Sequence, residues 1–259
     1  DQNVFMQECE QMKSLCETIK KNCKDICDAI DGKLTMDERI ENLIFALSVG
    51  RVPAKWISDG FATNRGLQSW LKSLVARIEQ LKQFESNDNQ CPKVVFINRL
   101  FNPLSYLTAV RQLAARKLEQ ELDKLDILTE PSNYYLKDNE PKGVVFKENQ
   151  GVPIYGLHLQ GCRFDEDNKV LDESRPKESF FVLHIIFCKV LSIEFLDPKK
   201  DLKNSYICPM YKTIDRQSTF VCFAQFRTKA PPAKWTIAGV AVILDCEKTD
   251  NIVTLKFGN

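Results

Sequence analysis

The spacing of apolar residues changes halfway along the chain, and this change restricts the possible folds more than any other feature. In the first half, apolar residues recur every three or four positions, as on the buried side of an amphipathic helix. In the second half, short apolar runs alternate with polar turns, which is typical of antiparallel strands. The sequence therefore predicts an α+β fold, with an N-terminal α-helical bundle over residues 1–128, a linker over 129–153 and an antiparallel β-barrel-like subdomain over 154–259.

Four helices are predicted in the first part. The first carries one apolar stripe, made of Met6, Cys9, Met12, Cys16, Ile19, Cys23, Ile26, Cys27 and Ile30. The second should begin with a capping box formed by Thr35 and Glu38. We expect the third to begin at Asn64. The fourth should begin at Asn102, which serves as its N-cap, followed by Pro103 at the first helical position.

Prolines and glycines interrupt the polar stretch 129–153, which marks it as a domain boundary. After it, strands are predicted at 155–160, 180–188, 190–195, 206–211, 219–226, 237–244 and 252–257, with a turn at 165–168. Segment 237–244 is apolar on both faces, so we expect it to be a central, covered strand.

Charge and hydropathy argue against two classes of partner. The net charge of +1 provides no basic surface for nucleic acid. The longest apolar run, 180–188, is far shorter than the ~20 residues of a membrane-spanning helix.

The ten cysteines could form a disulfide framework or remain buried free thiols. The second interpretation, in a reducing compartment, is favoured.

Candidate chemical sites are few. The glycines Gly151 and Gly156 have the spacing of a phosphate loop but lack the Lys and Ser/Thr that should follow. Cys23 and Cys27 are one helical turn apart, yet they lie on the apolar stripe and are interpreted as core residues rather than metal ligands. His158 is on the more polar face of its strand and is expected to be exposed. We therefore predict no catalytic, cofactor-binding or metal-binding residue.

Several strings of residues occur in the order found in one known family. They are Val52-Pro53-Ala54-Lys55-Trp56, Trp70 with Leu74 and Arg77, Phe101-Asn102-Pro103 with the helix that carries Arg116, Gly151-Val152-Pro153-Ile154-Tyr155-Gly156-Leu157, Gly161-Cys162-Arg163-Phe164-Asp165, Glu173-Ser174-Arg175-Pro176-Lys177, Tyr206-Ile207-Cys208-Pro209-Met210-Tyr211-Lys212-Thr213, Pro231-Pro232-Ala233-Lys234-Trp235 and Gly239-Val240-Ala241. Together they resemble the C-terminal domain of dynein heavy chains, and the strings at 173–176 and 206–213 resemble ciliary chains more than the main cytoplasmic one.

The resemblance assigns structural or ring-contact roles to thirteen motif positions. These are Trp56, Trp70, Arg77, Pro103, Arg116, Gly156, Arg163, Arg175, Pro176, Pro209, Tyr211, Trp235 and Gly239. It implies a non-catalytic domain that packs on the AAA+ ring of the same heavy chain, with residues 1–30 belonging either to the bundle or to the end of the last AAA+ module. ATP and Mg²⁺ are expected upstream in the parent chain, and no cofactor in this segment.

By the same resemblance, the parent is a minus-end-directed microtubule motor of the cytoskeleton, in the axoneme of cilia or flagella. Its expected partners are the ring, microtubules through the parent motor, and dynein intermediate or light chains. Two functions follow as hypotheses: a regulatory domain that tunes motility, and a docking module for accessory chains or neighbouring motors. A third hypothesis, independent of the resemblance, is a stand-alone small-ligand-binding barrel or thiol enzyme.

Overall fold

The computed structural model describes residues 2–63, 65–92, 94–131, 151–165, 167–183, 186–192, 204–216 and 218–245. They form two compact units, each described below by itself. The helical unit contains residues 2–91 and 99–101, and the sheet unit contains residues 92–98 together with the described part of Asn102–Asn259. Within these ranges, no helix combines the length and apolar character that crossing a membrane requires.

Four helices make up the helical unit. They are α1 (Gln2–Ile30), α2 (Glu38–Ser48), α3 (Ala54–Asp59) and α4 (Leu67–Ser86). The predicted capping box at Thr35 is wrong, because Asp37 is the N-cap and its carboxylate accepts the N–H of Ile40 at 2.8 Å. Helix α3 was not predicted, since only six residues separate Pro53 from Gly60.

The long helix α1 buries only part of its predicted stripe. Cys9 and Met12 of the stripe are buried, whereas Cys23 and Cys27 are exposed. In the second half of α1 the buried position is Asn22, about 100° around the helix from Cys23. Helices α2 and α3 contact α1, and the side of α1 that is buried depends on where these two helices lie. The prediction that Cys23 and Cys27 belong to the core is therefore wrong.

Helix α4 supplies the other half of this core. Its buried residues recur at spacings of three and four, and include Trp70, Leu74, Leu81 and Phe84. The ring of Phe84 lies 5.0 Å from that of Phe5 on α1. Burying side chains of this size contributes roughly 1.5–3 kcal/mol each, so α1 and α4 hold the unit together.

The sheet unit combines two helices with short strands. The helices are α5 (Pro103–Leu118) and α6 (Pro232–Ile237), and the described strands are β1 (Val95–Phe96), β2 (Leu125–Pro131), β3 (Val152–Tyr155), β4 (Leu157–Gln160), β5 (Arg163–Asp165), β6 (Val170–Asp172), β7 (Phe180–Leu183), β8 (Ile186–Ser192), β9 (Ser205–Tyr211), β10 (Phe220–Arg227) and β11 (Ala241–Ile243). The predicted cap of α5 is present, because the Asn102 side chain accepts the N–H of Ser105 at 3.3 Å.

The strands pair in three open sheets. The orders are β1-β3-β8-β2, β10-β9-β11-β4-β7 and β5-β6. The pairs β1–β3 and β9–β11 are parallel, and the others are antiparallel. The predicted antiparallel β-barrel-like subdomain is therefore corrected in two respects: the described strands close no barrel, and pairing is mixed. The physical reason is that β11 returns between β4 and β9, so the five-stranded sheet keeps β10 and β7 at its edges.

The central position of β11 confirms part of one prediction. All three of its residues are buried, as expected for the strand predicted at 237–244. The first half of that prediction is wrong, because Ile237 ends α6 and is 87% exposed. Pro232 stands in the first turn of α6, where its missing N–H costs no hydrogen bond and its backbone angle favours a helix.

The predicted exposure of His158 is also wrong. This histidine on β4 is only 2% exposed, and its Nδ1 lies 3.1 Å from the carbonyl oxygen of Ile243. The first three residues of β4 are all buried, so the packing of the sheet unit covers even the more polar face of this strand.

The turn predicted at 165–168 joins β5 to β6. The Oδ1 atom of Asp165 accepts the backbone N–H groups of Asp167 and Asn168 at 3.0 and 3.1 Å. Other predictions lie outside the described residues: the greater part of the linker, segment 193–195 of one strand, and the closing strand at 252–257.

Candidate functional site

The thirteen motif positions are the candidates for a functional site. They divide by burial: Trp56, Trp70, Arg77, Pro103, Gly156 and Trp235 are buried; Arg163, Pro209, Tyr211 and Gly239 are half-buried; Arg116, Arg175 and Pro176 are exposed. Within the described ranges, no three His, Cys, Asp or Glu side chains are grouped so that they could hold a metal ion.

The three motif residues of the helical unit meet in one aromatic stack. The ring of Trp70 lies 5.9 Å from that of Trp56 and 4.9 Å from that of Phe61. The guanidinium of Arg77 lies over the ring of Phe61, 3.9 Å from its centroid, and donates to the carbonyl of Leu100 at 2.9 Å. Arg77 is only 5% exposed and its guanidinium contacts Phe61 and Leu100, so we propose a structural role for this cluster.

The motif residues of α5 have different surroundings. Pro103 is buried at the first helical position. Arg116 is exposed in the last turn, where a positive charge interacts favourably with the helix dipole. Only Arg116 is therefore positioned to reach another molecule.

Gly156 lies where no side chain fits. Its φ is +93°, and an added Cβ would be 2.1 Å from Oδ1 of Asn98. Glycine is favoured for two reasons: the backbone is left-handed, and the Asn98 side chain occupies the space where a Cβ would lie. We therefore propose a packing role for Gly156.

The motif strings at 173–177 and 231–235 are joined by an ion pair. The ammonium of Lys234 contacts the Oε1 of Glu173, and it also lies 5.2 Å from the Trp235 ring centroid. The indole N–H of Trp235 donates to Thr228 Oγ1 at 2.6 Å. These contacts fix α6 beside the loop that follows β6.

Arg163 and Arg175 lie near this ion pair in sequence and have few contacts of their own. The guanidinium of Arg163 lies 5.4 Å from the centroid of Phe181. The backbone N–H of Arg175 donates to Glu178 at 2.9 Å. Among the described residues, neither guanidinium forms an ion pair with a carboxylate.

An outward-facing apolar surface surrounds two further motif positions. We name it the β9–β10 face and define it by Ile207, Pro209, Tyr211, Phe220 and Phe223. Ile207 is 51% exposed, Phe220 45% and Phe223 60%. The Phe220 ring lies 5.9 Å from that of Tyr211 and 5.0 Å from that of Phe223. Most of these residues line an open pocket of about 640 Å³, so the surface can accept a partner.

Arg216 supports the edge of this pocket. Its Nη2 donates to Oε1 of Gln160 at 2.5 Å and to the carbonyl of Gly239 at 2.8 Å. Its guanidinium also lies 5.9 Å from the Tyr211 centroid. Gly239 is thus connected to the β9–β10 face through Arg216.

Sequence reasoning missed Arg216, Phe220 and Phe223. The two phenylalanines fall within the predicted strand 219–226, but the sequence does not show which face of that strand is covered. A bulge between Phe220 and Cys222 in the pairing with β9 further disturbs the simple alternation.

Four buried or half-buried thiols of the sheet unit are poor nucleophiles. Burial raises the pKa of Cys162 and Cys188 to about 12, and that of Cys222 to about 11. Burial raises the pKa of Cys208 as well. The thiolate is the reactive form, so these four groups remain protonated and unreactive at neutral pH.

Comparisons with known proteins point to one family. The family model described as the C-terminal domain of the dynein heavy chain matches residues 2–244. The protein is 35% identical over 241 residues to the ciliary dynein beta chain of Heliocidaris crassispina and 36% identical over 242 residues to the flagellar outer arm dynein beta chain of Chlamydomonas reinhardtii. It is 33% identical over 241 residues to human dynein axonemal heavy chain 17. Each alignment includes 93% of this sequence but 5% of the relative, so the protein spans about a twentieth of their length.

Proposed function

The protein belongs to the family of C-terminal domains of dynein heavy chains, and from this premise we propose that it is a non-catalytic regulatory domain that packs on the AAA+ ring of an axonemal heavy chain and tunes its motility. Its ciliary and flagellar relatives place it in the cytoskeleton of the axoneme. The ATP and Mg²⁺ sites and the microtubule-binding part of this minus-end-directed motor are assigned to the rest of the parent chain.

The observation that supports this proposal best is the β9–β10 face. Phe220 and Phe223 place aromatic rings in solvent beside the motif residues Pro209 and Tyr211. Contiguous exposed apolar surface of this kind commonly marks an interaction site. In a parent chain, the ring is covalently tethered to this domain and hence present at high effective concentration, so the ring is the partner that this face meets most often.

Charge provides independent support. The motif residues Arg116, Arg163 and Arg175 carry guanidinium groups that pair with no carboxylate in the described parts of the sequence. Arginine forms bidentate bonds with carboxylates. We therefore expect the ring to present acidic side chains opposite these three positions, while the buried Arg77 serves only the fold.

The regulatory effect follows from differences between ring states. If the domain contacts one shape of the ring better than another, it shifts the equilibrium between them. Couplings of this kind are typically 1–3 kcal/mol, or roughly 5- to 150-fold in an equilibrium constant. ATP turnover and velocity would change accordingly, although no residue of this domain takes part in the chemistry.

The test replaces two aromatic side chains in the parent heavy chain. Phe220→Thr combined with Phe223→Thr should change the microtubule-stimulated ATPase rate and the gliding velocity by at least about twofold. The matched control is Phe45→Ser, because Phe45 on α2 is 61% exposed but lies outside the β9–β10 face. Equal rates for the double variant, the control and the wild type would refute ring contact through this face.

The same face also favours the alternative function, a docking site for dynein intermediate or light chains or for a neighbouring motor. The two functions differ in a heavy chain purified without accessory chains. Ring contact predicts that the double variant already behaves abnormally there. Docking predicts a normal isolated heavy chain and a loss of co-purifying axonemal proteins from the assembled motor.

A further inference from the structure

Two thiols on α1 are exposed on the same side of the helix. Cys23 and Cys27 are four positions apart, and both side chains are exposed to solvent. Residues i and i+4 of a helix lie one above the other. Because neither residue belongs to the core, the reason for excluding a thiol site at this position does not hold.

These two thiols differ from the other described cysteines. Cys162, Cys188 and Cys208 are buried in the sheet unit, and Cys9 is buried on α1. Burial raises the pKa of all four. Among the nine described free cysteines, only Cys23 and Cys27 are exposed, so they form the accessible dithiol of the described residues.

Helix geometry decides what this dithiol can bind. The Cβ atoms of residues i and i+4 are about 5–6 Å apart, whereas a disulfide requires about 3.5–4.5 Å. A direct S–S bond would therefore distort the helix. An ion bound by sulfur at about 2.3 Å separates two tetrahedral ligands by about 3.8 Å, which two flexible thiol side chains can reach while the backbone remains helical.

We propose that Cys23 and Cys27 form a bidentate site for a soft, thiophilic metal or metalloid ion. Within the described ranges no third ligand is grouped with them. Asp31 lies one helical turn after Cys27, and its backbone N–H donates to the carbonyl of Cys27 at 2.9 Å. Its carboxylate does not serve as a third ligand, because it pairs with the ammonium of Lys33 at 2.8 Å. Two sulfur ligands suit ions such as Cu(I) or trivalent arsenic. This site depends only on folded α1 and is independent of the proposed regulatory function.

Phenylarsine oxide is the probe with the clearest chemistry. Two thiols and one arsenoso group give one dithioarsenite and one water. Two As–S bonds form, two S–H protons leave with the arsenoso oxygen, and no atom changes oxidation state. Because both bonds are made within one molecule, a paired site retains the reagent against a monothiol, whereas an isolated cysteine does not.

The experiment measures the arsenic retained by the 259-residue protein after washing with excess 2-mercaptoethanol. Wild type should retain one equivalent and release it to 1,2-ethanedithiol, with unchanged helical circular dichroism. Cys23→Ser and Cys27→Ser should each weaken retention by at least about 100-fold, which is the usual gain from bivalency. The matched control is Cys16→Ser, because half-buried Cys16 lies on the same side of α1.

Three results would overturn the assignment. The first is retention by either single variant at the wild-type level, and the second is loss of retention in Cys16→Ser. The third is loss of helical signal on binding, because the geometry requires an intact helix.

Discussion

The side chain of Glu8 accepts the backbone N–H of Phe101 at 2.6 Å, joining positions 93 residues apart inside the helical unit. Glu8 is only 3% exposed. A hydrogen bond contributes about 0.5–1.5 kcal/mol, and a buried donor left without its acceptor costs about 1–3 kcal/mol. Glu8→Ala should therefore lower the free energy of unfolding by about 2–4 kcal/mol in urea titrations. Glu10→Ala, an exposed change on the same helix, should lower it by less than about 0.5 kcal/mol. Equal values would show that the contact is unimportant.

Gly156→Ala should be destabilising for two separable reasons. The positive φ costs a residue with a Cβ about 1–2 kcal/mol, and the new Cβ would collide with the Asn98 side chain. Gly32→Ala isolates the first reason, because Gly32 has φ +73° and open space around it. In thermal unfolding, Gly156→Ala should cost more than Gly32→Ala, and adding Asn98→Ala should recover part of the difference. No recovery in the double variant would contradict the steric account.

Arg216 should respond differently to alanine and to glycine. Both changes remove the hydrogen bonds to Gln160 and Gly239, at a cost of roughly 1.5–3 kcal/mol. Glycine also relieves the positive φ of +61°. The order of unfolding midpoints should therefore be wild type, Arg216→Gly, then Arg216→Ala, with about 1 kcal/mol between the last two. Asp215→Ala, next in sequence and exposed, is the control, and a reversed order would reject the backbone argument.

Alkaline pH should destabilise the sheet unit through its buried thiols. Burial raises the pKa of Cys188 from 9.0 to about 12, so the unfolded chain releases this proton first. Its contribution to stability is complete below pH 9 and is lost as the pH rises from 9 towards 12. The free energy of unfolding should therefore fall above pH 9 by about 1.4 kcal/mol per pH unit for this group.

Cys188→Ala tests this pH dependence. Between about pH 7.5 and 10.5 its urea-derived stability should fall by about 2 kcal/mol less than that of the wild type. Val221→Ala removes a buried residue that does not titrate, so it should lower stability at every pH and keep the wild-type slope. A wild-type slope in Cys188→Ala would exclude this thiol as a cause.

The local parts of the fold were predictable. Spacings of three and four indicated α1 and α4, and the Asn102-Pro103 pair indicated the start of α5. The turn at Asp165 was also predictable from the sequence, because an aspartate carboxylate accepts hydrogen bonds from the backbone N–H groups two and three residues ahead. The family resemblance came from strings of residues and was confirmed by the match over residues 2–244. The roles of the thirteen motif positions stay predictions.

Other features were not accessible from local patterns. Cys23 and Cys27 share a stripe with Cys9, yet only Cys9 is covered, because burial along α1 depends on where α2 and α3 lie. His158 alternates with Leu157 and Leu159, yet all three are buried because the packing of the sheet unit covers both faces of β4. The candidate site was the least predictable part. Arg216 supports the edge of its pocket through contacts with Gln160 and Gly239, which lie 56 and 23 positions away in the sequence.

The sequence by itself determined the type and approximate place of most elements, since a helix or turn depends on residues within four positions of one another. It also determined the family, through the order of its strings. Only the tertiary structure decided that β11 enters the sheet between β4 and β9, that the described sheets stay open, and that Phe220 and Phe223 face solvent. These features depend on strand register and on partners far apart in the sequence, and shifting a strand by one residue exchanges its two faces.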